Sequence, residues 1–214
     1  MESDLYDSYF QSLVAGDRRA CRQIILGLLE TDIDIKTLYL SYFQKSLYAI
    51  GDLWAANKIT VAVEHMATAI TESLFPLVYP RIFMADHCGK KAVISCTANE
   101  YHQIGGKMVA DILELNGWDT IFLGANTPLQ SLLDFIDTNQ PDMVGLSLSL
   151  QDNMPNLLTA IGKIRDRHPE LSIIVGGQAF SFSGSEILKA TEHVHLIRSF
   201  SELEGYIQAD AYAT

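Results

Sequence analysis

Between Ser3 and about Phe83, apolar residues recur at intervals of three and four with few breakers, which is the period of amphipathic helices. The pattern predicts four of them. The first covers about Asp4 to Ala15 and stops at Gly16, a residue suited to the positive φ of a helix end. Asp17 is placed to cap the second, RRACRQIILGLLE. A third spans about Ile35 to Trp54, with Leu38, Phe43, Leu47, Ile50 and Leu53 along one side. The fourth starts near Thr60 and runs past Leu74, until Pro76 and Pro80 weaken it. Four short-linked helices read as a compact bundle.

Beyond the stretch Met84 to Lys90 the period changes. KAVISCTA, DTIFLG, DMVGLSLSL and LSIIVGG are continuous apolar runs, separated by a helical GGKMVADILELNG and by helices after Pro128 and Pro155. Such runs describe strands covered on both faces, and their alternation with helices is the signature of a parallel α/β sheet. HVHLIRS supplies a fifth strand. The expected fold is α plus α/β: a four-helix bundle over 1–88, then a flavodoxin-like, Rossmann-like domain with a five-stranded parallel sheet over 89–214.

Charge narrows the function. Fifteen Lys and Arg stand against 26 Asp and Glu, a net charge of −11, which disfavours a surface for the phosphate backbone of nucleic acid. Cys21, Cys88 and Cys96 form no CxxC pair and read as small packing residues of a reduced compartment. The acidic start MESDLYDSYFQ lacks the order of a signal peptide, and no apolar run reaches about 18 residues. A cytoplasmic chain without membrane contact is expected.

In a doubly wound sheet, ligands bind beyond the carboxyl ends of the strands, so the loops after Ala98, Gly124, Ser149 and Gly177 are the places to search. The first reads Glu100-x-His102-x-x-Gly105, which is not the GxGxxG of dinucleotide sites. A loop imidazole two residues after a carboxylate suits a metal ligand whose other ring nitrogen is held by that carboxylate. Alone, a solvated or structural histidine is the commoner account. However, Ser147-Leu148-Ser149 follows after 41 residues and Gly176-Gly177 after 26 more. Together these resemble the DxHxxG, SxL and GG pattern of the cobalamin-binding domain of methionine synthase, the mutases and the corrinoid methyltransferase components. The resemblance implies that His102 is the lower axial ligand of cobalt and that Glu100 accepts its other N–H. It implies that Gly105, Ser147, Ser149, Gly176 and Gly177 surround the displaced nucleotide tail. Glu100 stands where the family has Asp, and Ser149 where it has Leu, which leaves the shape of the tail pocket open.

In the helical half, Trp54, nine residues, then Glu64-His65 is similar to the W-x9-EH signature of CarH-type light-responsive cobalamin sensors, here with no recognisable DNA-binding region. This resemblance implies a helical cap with Trp54, Val61, Glu64 and His65 at the cofactor. It implies adenosylcobalamin in the dark and a hydroxo or bis-histidine cobalamin after light, with His65 as the upper axial ligand. On a helical wheel His65 lies at the margin of an apolar stripe of Ala62, Met66, Ala69, Ser73 and Leu77. The function implied is a photoreceptor, not an enzyme, that regulates transcription through a protein partner such as a repressor, with a light-dependent homo-oligomer as a further expectation. A corrinoid methyl carrier of a methyltransferase system is the alternative, and a cobalamin store a third. Read without that context, Trp54 is a core aromatic closing the bundle. His193 and His195 alternate along a strand like a metal pair but lack a third ligand, and His87 and His168 read as solvent-exposed. No GxSxG, HExxH or P-loop motif occurs.

Overall fold

The computed structural model describes residues 2–181 and 192–211. The chain divides into two units, one up to Phe83 and the other from Met84. The helical unit comprises α1 (Glu2–Ala15), α2 (Arg18–Glu30), α3 (Ile35–Leu38), a π-helical turn (Tyr39–Gln44), α4 (Lys45–Ala55), α5 (Val61–Glu72) and a short α6 (Tyr79–Ile82). Gly16 stops α1 at φ +77°, and a Cβ there would lie 2.6 Å from the Met66 sulfur. The Asp17 carboxylate accepts the N–H of Ala20 and caps α2. Asp17→Ala should therefore cost about 1 kcal/mol, read as a lower melting temperature of the helical unit. The core is aromatic: Tyr39, Phe43 and Phe75 meet with ring centroids 5.3–5.6 Å apart, and Tyr9 packs edge-on to Tyr42.

Three features differ from the sequence reading. The third helical run is interrupted by the π turn, which shifts the face that the residues after Gln44 present. The fourth helix ends at Glu72 rather than past Leu74; a 3-10 turn (Phe75–Leu77) with Pro76 follows. The buried face of α5 carries Ala67, Ile70 and Thr71, while Ala62, Ala69 and Ser73 of the stripe read from the wheel are exposed. The helix is thus apolar on two faces, and periodicity alone could not say which one the bundle buries.

The second unit contains β1 (Lys91–Cys96), α7 (Ile104–Leu115), β2 (Asp119–Phe122), α8 (Leu129–Asn139), β3 (Met143–Ser147), α9 (Met154–Arg167), β4 (Ser172–Gly176), β5 (Val194–Leu196) and α10 (Phe200–Ala211). All strands pair in parallel, in the order β2-β1-β3-β4-β5. The inner strands β1 and β3 are buried almost throughout, and the edge strands β2 and β5 are half-exposed, which is why their apolar runs are shorter and more mixed. Val93, Val144, Leu146, Ile173 and Val175 pack on one face against Leu132, Ile136, Leu157, Ile161 and Ile164 of α8 and α9. α10 buries Leu203 and Ile207, but its sequence SELEGYIQAD is mostly polar and carries little helical periodicity. Among the described residues no helix is long and apolar enough to cross a membrane.

Candidate cofactor site

The strand order reverses between β1 and β3: the chain leaves β1 toward β2 on one side, then returns to place β3 on the other. In such sheets the crevice beyond the carboxyl ends of those two strands is where ligands bind. Cys96 and Ser147 are the last paired residues, so the loops that follow them leave side by side.

Glu100 links those loops. It is fully buried, and its Oε1 accepts both the backbone N–H of His102 at 3.0 Å and the ring N–H at Nδ1 at 2.6 Å. Oε2 accepts the N–H groups of Ser149 at 2.9 Å and Leu150 at 3.0 Å, with Asn153 Nδ2 at 3.4 Å. Burial alone would push this carboxyl up. The bonds from the His102 ring and from the N–H groups of Leu150, His102 and Ser149 outweigh it and hold the carboxyl down at about 2. The carboxylate therefore stays ionised and fixes the imidazole by Nδ1, while the ring, 54% exposed, stands at the tip of the sheet. The extra methylene of Glu relative to Asp goes with a carboxylate that reaches the backbone after β3 as well as the histidine. Ser149 takes part through its backbone N–H, so its hydroxyl is not what the contact uses.

A frame of side-chain amides that belongs to none of the sequence motifs surrounds this pair. Asn153 donates to the carbonyl of Asn99 at 3.0 Å, Asn156 to that of Ala98 at 2.9 Å, and Asn126 accepts from Asn99 N at 2.8 Å. The signal available was the run of asparagines just past the strand ends, where left-handed backbone is common. Asn99 and Asn126 take it, at φ +65° and +50°.

Ser147 is buried under the start of α7, where a Cβ on Gly106 would lie 3.3 Å from the Ser147 Cβ and 3.2 Å from the Phe122 ring. Gly105 is more open, its nearest neighbour being the Ser147 hydroxyl at 4.0 Å. The paired glycines are demanded by the backbone itself. Gly177, at φ +117°, would place a Cβ 2.2 Å from the Leu148 carbonyl oxygen, and Gly176 one 2.9 Å from that of Ile197. Cys96 lies below the loop, its thiol pushed up to about 12 by burial first and the Glu100 charge second.

In the helical unit, Trp54 is 50% exposed in the last turn of α4, so it is not a core aromatic. Val61 opens α5 and is also half-exposed. Glu64 accepts from the Thr68 hydroxyl at 3.0 Å and lies 3.5 Å from the ring of His65, whose side chain is 75% exposed. On α5, Val61, Ala62, His65 and Ala69 are exposed. The other histidines have partners of their own. His168 bonds Asp137 at 2.8 Å and is mostly covered rather than exposed, His87 lies 3.8 Å from Glu114, and His193 lies 3.5 Å from Glu170. His195 packs against Tyr206, with ring centroids 4.7 Å apart and the planes tilted by 46°. Among the described residues no three His, Cys, Asp or Glu side chains gather as a metal cluster, and of the three free cysteines Cys88 is exposed rather than packed.

The B12 binding domain family model matches residues 90–203, and a second B12 binding domain model matches residues 5–78. The chain belongs to the B12 binding domain family and is a cobalamin-binding protein with an N-terminal helical region. It is 34% identical over 91 residues to the HTH-type transcriptional repressor CarA of Myxococcus xanthus, covering 42% of this chain and 31% of that protein. It is 25% identical over 131 residues to CarH of the same organism, covering 61% and 43%. The chain thus spans less than half the length of either repressor. The Methanosarcina barkeri monomethylamine corrinoid protein has the same fold, with a TM-score of 0.82 at 12% identity over 94% of this chain and 96% of that one. The methanol:cobalamin methyltransferase complex of the same organism gives a TM-score of 0.54 at 13% identity, over 100% and 82%.

Proposed function

We propose that this protein is a corrinoid carrier that holds cobalamin base-off, with His102 on cobalt, and presents it to a methyltransferase partner without being the catalyst. The observation that carries the reading is the buried Glu100 carboxylate fixing a half-exposed imidazole at the switch point of the sheet. These residues fit the group: the imidazole is oriented by Nδ1, so Nε2 is the nitrogen for cobalt, and the open surface of Gly105 beside the Ser147 hydroxyl suits the nucleotide tail. Once bound, cobalt supplies the centre that takes up and gives away a methyl group. Glu100 keeps the ring in one orientation and tautomer throughout, and Gly176 and Gly177 let the loops beyond β3 and β4 lie close enough to wall the tail. The likeness in fold to the monomethylamine corrinoid protein supports the carrier reading.

A second reading, a light-responsive sensor that acts on a transcriptional regulator, is favoured by Trp54, Glu64 and His65 on exposed surface and by the likeness to CarA and CarH. Under it, adenosylcobalamin would be the dark form and His65 would be the residue to hold cobalt after light. One experiment separates the two. The protein is loaded with methylcobalamin or adenosylcobalamin in darkness, and methyl transfer to a thiol is followed with the partner it captures from its own cells, identified by mass spectrometry. The carrier reading expects methyl transfer from the methylcobalamin-loaded protein in darkness once the partner is present. Absence of transfer, together with a light product of the adenosyl complex whose spectrum changes in His65→Ala, would replace the carrier by the sensor.

A further inference from the structure

The turn after β2 touches the His102 loop on both sides of the histidine. From φ +50°, Asn126 donates its backbone N–H to the carbonyl of Glu100 at 2.8 Å while its Oδ1 accepts the N–H of Asn99 at 2.8 Å. On the far side, Gln103 Oε1 accepts the N–H of Ala125 at 3.2 Å. The carbonyl of Gly124 takes the N–H of Cys96, the last residue of β1, at 3.0 Å, so three successive residues of one turn hold the strand end at 96 and the loop at 99, 100 and 103. None of the three belongs to the Glu-x-His-x-x-Gly pattern.

We propose that Asn126 is a positioning residue for His102: the 124–126 turn fixes the histidine loop in its ligating form before the corrinoid arrives. This rests on His102 being the cobalt ligand. The loop from Thr97 to Gln103 lies outside the sheet and contains a left-handed Asn99, so its order comes from side-chain and turn contacts rather than from the strand ladder. A loop ordered beforehand spares the binding step the entropy of ordering it. Asparagine meets two needs at once, since it tolerates the left-handed backbone and supplies an acceptor. Aspartate meets both, and glycine only the first.

The test uses the full chain labelled with 15N-histidine and loaded with cob(II)alamin. A labelled axial nitrogen splits the electron resonance lines into doublets, whereas the unlabelled dimethylbenzimidazole gives triplets. The parent and Asn126→Asp are expected to show full doublets. Asn126→Gly, whose backbone suits that φ, is expected to melt near the parent, to bind cobalamin about tenfold more weakly and to show a reduced doublet. Gln103→Met, which leaves Asn126 in place, should move in the same direction by less and carries the test if the glycine variant fails to fold. Parent affinity and full doublets in both Asn126→Gly and Gln103→Met would overturn the inference, as would Asn126→Asp being as defective as the glycine variant. Triplets in the parent itself would remove His102 as the ligand, and this inference with it.

Discussion

Replacing His102 by alanine is expected to abolish the labelled-nitrogen splitting of bound cob(II)alamin and to weaken binding by roughly ten- to a hundredfold, while leaving the fold intact. The fold survives because the ring is half-exposed and the backbone N–H of residue 102 still reaches the Glu100 oxygen when the Nδ1 contact is lost. Binding is not abolished, because the tail would still meet Ser147 and the surface at Gly105. The effect on the spectrum exceeds the effect on affinity, since a metal ligand is removed outright while most of the buried cofactor surface is kept. Unchanged affinity and splitting in His102→Ala would exclude this residue and move the search for the lower ligand elsewhere on the sheet edge.

What the sequence made legible follows from how local each determinant is. The five parallel strands were readable because both faces of β1 and β3 are covered, which leaves unbroken apolar runs. Asp17 was readable as a cap because capping spans only three residues. The buried face of α5 was not, because both of its faces are apolar and the choice is made by α1 and α4, which pack against it, rather than by the helix. At the site, Glu100 and His102 were legible from spacing. That Oε2 of Glu100 spans to Ser149 and Leu150 was not, because the partners are 49 and 50 residues away and contribute backbone N–H groups, which carry no residue code. The same holds for Gly177, legible as a motif but explained by the Leu148 carbonyl against it.

The largest expected loss of stability comes from Glu100. Its carboxylate accepts from five donors: the His102 ring, the backbone N–H groups of His102, Ser149 and Leu150, and the Asn153 amide. In Glu100→Gln the side chain keeps one oxygen and turns an NH2 toward one of the two donor groups, so at least one group of buried donors goes unmatched, at a cost of roughly 2–4 kcal/mol. The pH dependence has a definite sign. The folded carboxyl sits at about 2, below its ordinary value of 4.5, because its hydrogen bonds outweigh burial. Its contribution is therefore complete above pH 4.5, shrinks as pH falls toward 2 and is lost below that. A shift of this size corresponds to about 3 kcal/mol, a large share of the stability of a small domain. Trp118, buried in the same unit, reports unfolding through its fluorescence. Urea midpoints of the parent and Glu100→Gln should differ most near neutral pH and converge between pH 4.5 and 2, because protonation removes from the parent what the substitution has already removed from the variant. Curves that stay parallel through that window would mean that the ionised carboxylate is not what joins the two loops, and that Glu100 acts by packing alone.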